Sequence, residues 1–139
     1  MIAIDSSVII PALLSWHEFH TRAFNALGKA IASGRLLVPM AALVESYSVM
    51  TRLPSPHRLR PEIAHQLLHD SFGSARVVAV PSKKAWAFLG ECATDGIVGG
   101  RVYDAVIAHS ALEGHAQELL TLNPRDFEPF ADRIAIVVP

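Results

Sequence analysis

The chain holds a single cysteine, so no internal disulfide can form. That residue, Cys92, lies in the run Phe88-Leu89-Gly90-Glu91-Cys92-Ala93 and reads as a small core side chain in preference to a thiol nucleophile. Charge of one sign is also missing: 12 Lys and Arg face 13 Asp and Glu, for a net charge of -1. A near-neutral chain is a poor candidate for broad, non-specific attachment to nucleic acid over its whole surface, although a local basic patch stays open. No apolar run is long enough to span a bilayer, and the N-terminal apolar stretch contains Asp5 and lacks a basic leader region. The expectation is a soluble, cytoplasmic chain with no membrane contact. There is no Gly-rich phosphate loop of the P-loop type, no internal repeat and no low-complexity tract, so residues 1–139 are expected to form one domain.

What is present suits a packed core: 51% of residues are apolar and 18% charged, a balance that argues against disorder. Short apolar runs of strand character, Ile2-Ala3-Ile4, Arg35 to Pro39, Arg76 to Pro81, Glu118 to Leu122 and Ile134 to Val138, alternate with helical patterns. Helix-spaced apolar residues run from Phe19 to Ile31 and stop at Ser33-Gly34. Further helices are expected from about Ala41 to Arg52, from Pro61 to about Phe72, from a Ser82 cap through Trp86 and Leu89, and from about Val102 to Leu112. Such alternation predicts an α/β fold of three layers, with a mostly parallel central sheet of four to five strands covered by helices on both faces.

The first strand stops at Asp5-Ser6-Ser7, and in open α/β sheets ligands bind at the carboxyl ends of strands. Taken alone, these residues are more simply a helix cap, in which a side-chain oxygen accepts from an orphan N–H. A chemical role needs other acids to converge on Asp5. Asp104 is the most informative of them. Projected at about 100° per residue, His109 and Glu113 share a polar stripe while Asp104 lies opposite, among Ala105, Ile107, Ala108 and Ala111. A carboxylate on the apolar side is costly unless paired, which favours a cation-binding or catalytic role over a cap.

Glu45 carries a weaker signal. Leu43, Val44, Tyr47 and Met50 form the expected apolar face of its helix, and Glu45 points away with Ala41, Ser48 and Arg52, into solvent or along a cleft. Thr121-Leu122-Asn123-Pro124-Arg125-Asp126-Phe127 again puts polar atoms at a strand end, where an Asx turn with a helix cap competes evenly with a site role. Asp5, Glu45, Asp104 and Asn123 or Asp126 thus come from separate elements that start or stop at one edge of the sheet. Clustered carboxylates repel one another unless cations neutralise them, and hard oxygen donors select Mg2+ or Mn2+ over zinc. Two such ions can activate water and steady the leaving oxygen of a phosphodiester displacement.

The opening Ile4-Asp5-Ser6-Ser7-Val8, the helix with Glu45, the Arg52-Leu53-Pro54 turn, Tyr103-Asp104-Ala105 and the Thr121 to Phe127 segment resemble, in order and spacing, the PIN domain over essentially the whole chain. Within that family the similarity is to the VapC-type toxins of bacterial toxin-antitoxin pairs. The resemblance implies a PIN-like three-layer fold and a metal-dependent endoribonuclease, a homodimer that is inhibited by a VapB-type antitoxin whose C-terminal segment fills the cleft. It implies that Asp5, Glu45 and Asp104 hold Mg2+ or Mn2+. The fourth acidic position of many relatives falls at Asn123, so either Asn123 contributes a neutral oxygen or Asp126 supplies the charge. Thr121 and Ser6 match polar positions that orient the carboxylates.

Other chemistries fit less well. His65 and His69 have helical i, i+4 spacing for zinc, but no Glu lies between them and no third ligand is evident. A haloacid dehalogenase phosphatase would need a second Asp where Ser7 stands, and a receiver domain would need a Lys at a later strand end. A different class of function is a catalytically silent RNA-binding or partner-binding domain, in which Arg52, Arg58, Arg60 and Arg101 hold a phosphate backbone. Arg58 and Arg60 equally suit an ordinary solvated loop.

Overall fold

A computed structural model describes the whole chain, residues 1–139. Five short strands, β1 (Ile2–Ile4), β2 (Leu36–Pro39), β3 (Arg76–Val78), β4 (Glu118–Leu120) and β5 (Ala135–Val137), form one sheet in the order β3-β2-β1-β4-β5. Every neighbouring pair is parallel. The connections hold α1 (Ser6–Leu13), α2 (His20–Ala32), α3 (Met40–Arg52), α4 (Pro61–Phe72), α5 (Ala85–Asp95) and α6 (Arg101–Glu113), with 3-10 turns at Ser82–Lys84 and Pro124–Phe130. Each expected element is present. Three strands end sooner than their apolar runs, however, and Ser82 opens a 3-10 turn without a side-chain cap bond. No helix is long and apolar enough to cross a membrane.

The strand order explains where a site can form. From β1 the chain moves outward through β2 to β3, then crosses back to β4 and β5 on the other side. Right-handed crossovers therefore set the helices of the two halves on opposite faces, and the connections diverge at the carboxyl ends of β1 and β4, leaving a crevice. Burial follows the same plan. β1 is buried throughout and β2 likewise, whereas the edge strands β3 and β5 carry exposed residues. Ile4, Ile9 and Leu37, each with no exposed surface, contribute roughly 1.5–3 kcal/mol apiece by leaving water. Cys92 is buried in the same core, as its sequence context suggested.

The end of α6 is pressed onto the sheet at Gly114. A Cβ built there would collide with the Leu37 side chain and meet Val78 Cγ1 at 3.1 Å. Leu37 is fully enclosed and has little room to yield. Gly114→Ala is expected to destabilise the fold by about 1–3 kcal/mol, read as a lower urea midpoint at unchanged slope.

Candidate functional site: an acidic cavity at the carboxyl edge of the sheet

Asp5 is the residue after β1, and its backbone ties two strand ends together: its N–H donates to the Leu120 carbonyl at 2.9 Å, and its carbonyl accepts from Val8 and Ile9 in α1. Its position is that of an N-cap, but its side chain makes no cap bond. The carboxylate is 3% exposed and accepts three hydroxyl bonds instead. Ser7 Oγ and Thr121 Oγ1 donate to Oδ2 at 2.6 and 2.9 Å, and Ser6 Oγ approaches Oδ1 at 3.3 Å. The two shorter donors are themselves fixed, because Ser7 Oγ accepts from Leu122 N and Thr121 Oγ1 accepts from Asn123 N. A buried carboxylate held in this way keeps one orientation.

The cavity in front of Asp5 has a volume of about 650 Å3, and Glu45, Asp104, Asn123 and Asp126 line it together with Asp5 and Ser6. Each comes from a different place: Glu45 from the second turn of α3, Asp104 from the first turn of α6, and Asn123 and Asp126 from the turn after β4. Both candidates for the fourth position are therefore present, but they are not equal in charge. Asp104 feels Asp126 more strongly than any other neighbouring acid. Thr121 has no exposed surface and reaches the cavity only through Asp5.

One expectation needs correction. Of the face of α3 read as apolar, Met50 is buried and Leu43 packs against the core, but Val44 is 57% exposed and Tyr47 is exposed as well, and Ala42 and Ser46 complete the buried side instead. Small side chains bring α3 close to its neighbours, and the buried Ser46 hydroxyl is satisfied by the Ala42 carbonyl at 2.7 Å. That roll leaves Glu45 half-buried at the cavity rather than in solvent. Arg52 lines the cavity, and the charge of Arg101, which lies outside the lining, is felt by Asp104. His65 and His69 are exposed neighbours on α4, with ring centroids 5.9 Å apart.

Sequence reasoning assigned Ser7 to a cap and overlooked it as a partner of Asp5. The Asp-Ser-Ser run was the available signal. It also passed over Tyr103, which is 70% exposed on the cavity rim.

The electrostatics are those of a site short of positive charge. Burial, then Asp126, Asp5 and Glu45, push the Asp104 carboxyl up to about 7, with Arg101 opposing. Burial and Asp5 also raise Glu45, against the Ser6 hydroxyl and Arg52. The donor set is all oxygen, the chemistry preferred by hard divalent cations, and two or more positive charges would relieve the repulsion directly. No three of the acids stand close enough together to form a ready-made ligand cluster.

Between about pH 4, where Asp titrates in the unfolded chain, and about 7, folded Asp104 holds a proton that the unfolded chain has released. Stability of the ion-free protein therefore falls as pH rises through this window and levels above it. Thermal melts without divalent ions are expected to have a higher midpoint at the acid end, and Asp104→Asn is expected to flatten most of the slope. Thr121→Val removes a donor to Asp5 and the acceptor of Asn123 N, for an expected loss of about 1–3 kcal/mol in chemical denaturation.

Comparison with known proteins identifies the family. The PIN domain family matches residues 2–132. Ribonuclease VapC40 of Mycobacterium tuberculosis is 36% identical over 138 residues, which is 99% of this chain and 97% of that protein. Among solved structures, Mycobacterium tuberculosis VapC20, a Sarcin-Ricin loop cleaving toxin, aligns with a TM-score of 0.72 at 15% identity, with both chains covered in full. VapBC2 from Rickettsia felis, solved bound to a DNA fragment from its promoter, aligns with a TM-score of 0.70 at 17% identity over 100% of this chain and 99% of that one. At such identities the two structures speak to fold alone, while the VapC40 match extends the likeness to sequence along nearly the full length. On these grounds, the chain belongs to the PIN domain family, among its VapC-type members.

Proposed function

We propose that this protein is the toxin of a type II toxin-antitoxin pair and an endoribonuclease that hydrolyses RNA phosphodiester bonds with the help of Mg2+ or Mn2+. The observation that carries the reading is the convergence of Asp5, Glu45, Asp104 and Asp126 on one cavity, with Asp104 pushed up to about 7 by its acidic neighbours. Perturbed carboxylates grouped in a cleft mark functional sites more often than structural ones. The similarity to Ribonuclease VapC40 supports RNA as the substrate class.

In this reading Asp5, Glu45 and Asp104 hold the cation, Asp126 supplies the fourth charge, and Asn123 adds a neutral oxygen at the cavity wall. A bound divalent cation supplies Lewis-acid polarisation and a lowered water pKa. The protein's own contribution is orientation. Ser7 and Thr121 fix Asp5 so that its carboxylate needs no rearrangement on binding. The Ser6 hydroxyl acts between Asp5 and Glu45. Arg52, on the cavity wall, offers a guanidinium to a phosphate oxygen, and Arg101, further out, attracts the RNA backbone.

The partners proposed are RNA, a VapB-type antitoxin and a second copy of the chain. The solved VapBC2 relative supports an antitoxin partner through its shared fold. Purified protein is expected to cut RNA in Mg2+ or Mn2+ and to stop when EDTA is added. Asp5→Asn and Asp104→Asn are expected to lower cleavage by about 100-fold or more while the circular dichroism spectrum stays native. RNA binding without cleavage under every divalent ion would instead identify a silent binding domain. Growth arrest on expression, relieved by the neighbouring gene product, tests the toxin assignment.

A further inference from the structure

A second cavity, of about 460 Å3, shares Asn123 with the acidic one, and Ser7, the hydroxyl that holds Asp5, lines it too. Its other walls include Trp16, His17, Phe19 and Leu53. Trp16, in the connection between α1 and α2, is 48% exposed. Its ring stacks on that of His57, with centroids 4.0 Å apart and planes 24° from parallel. His57 belongs to the loop that follows α3, so the helix carrying Glu45 and Arg52 also delivers the aromatic stack.

The groove combines flat rings with polar and cationic groups. Phe19 N–H donates to His17 Nδ1 at 3.1 Å, so the proton of the neutral ring lies on Nε2, where it can be donated to a ligand. The Arg22 guanidinium lies 5.6 Å from the Phe19 ring centroid, lines the cavity and donates to the Pro139 carbonyl. Aliphatic walls at Ile10, Val49, Leu53 and Leu122 complete the groove, so that the exposed Trp16 ring, with the His17 and Asn123 polar groups beside it, suits a planar heteroaromatic ring with hydrogen-bonding edges. An occupant that also follows the Asn123 wall enters the acidic cavity, where divalent cations and Arg52 would receive a phosphate. One polymer presents both groups at consecutive positions.

We infer that this groove seats the base of an unpaired nucleotide flanking the scissile phosphate, stacked on Trp16. The inference rests on the ribonuclease reading and adds to it a base subsite beside the acidic cavity. A base paired inside an A-form helix keeps its faces covered by its neighbours and cannot reach a side-chain platform, whereas loop and bulge bases can.

Binding separates this inference from the one before it. In the double variant Trp86→Phe, Asp104→Asn, Trp16 is the sole tryptophan and cleavage is suppressed. A short 5′-labelled single-stranded oligoribonucleotide is titrated in Mg2+, with label anisotropy reporting binding and tryptophan emission reporting the groove. Both signals are expected to change with one midpoint, and the duplex of the same sequence to leave the emission unquenched. Adding Trp16→Ala should weaken binding about tenfold, with Trp16→Phe staying within about threefold. His57→Ala, in an exposed loop, gives a second route to the same loss if Trp16→Ala fails to fold.

A rise in anisotropy with unchanged Trp16 emission and undiminished Trp16→Ala binding overturns the inference and leaves the ribonuclease standing. Absence of any anisotropy change, together with no cleavage of the same RNA by the Trp86→Phe protein in Mg2+ or Mn2+, removes the ribonuclease reading, and this inference with it. If Trp16→Ala spares RNA binding but abolishes co-purification with a co-expressed antitoxin, the groove is a protein-docking surface and the inference is wrong.

Discussion

A carboxylate with almost no exposed surface sits where two adjacent parallel strands end, and the site is assembled around it. Asp5 would be a liability in the core of a small protein if its oxygens were not occupied. Ser7 and Thr121 occupy Oδ2 from opposite ends of the chain, and each hydroxyl is in turn held by a backbone N–H of the segment after β4. The same few bonds therefore satisfy a buried charge, staple β1 to β4, and set the direction of the turn that carries Asn123 and Asp126. Stability and site geometry share one network here.

Around that fixed point the remaining acids line one cavity, and the charges of their neighbours push Glu45 and Asp104 upward. Nothing basic enters the cavity except Arg52 at its wall, and Asp104 responds by keeping its proton up to about neutral pH. Ion pairs form elsewhere: Arg133 meets Glu91, Lys84 meets Glu113 and Arg60 meets Glu62.

The roll of α3 links the acidic cavity to its surroundings. By burying Ala42 and Ser46 the helix packs close, which brings Glu45 to the cavity and turns Val44 and Tyr47 outward. Its far end delivers Arg52 to the acids and leads into the loop whose His57 covers Trp16. One helix orientation thus decides which acid, which cation and which aromatic surface meet at the carboxyl edge.

Local pattern was enough for part of this. Alternating apolar runs and helical spacings marked the strands and helices, because their periods of two and 3.6 are written in neighbouring residues. Asp104 stood out for the same reason, since a carboxylate among alanines is visible in a helical projection, and parallel strands with crossovers placed Asp5 at a binding edge. The roll of α3 escaped because core-facing Ala and Ser score as indifferent while exposed Val and Tyr score as core, so hydrophobicity alone pointed the wrong way. The pairing of Asp5 with Thr121, the nearness of Asp126 to Asp104 and the stacking of Trp16 on His57 were decided only by tertiary structure. Each joins residues brought together by crossover connections and loop closure, and no local period encodes the distance between two such ends.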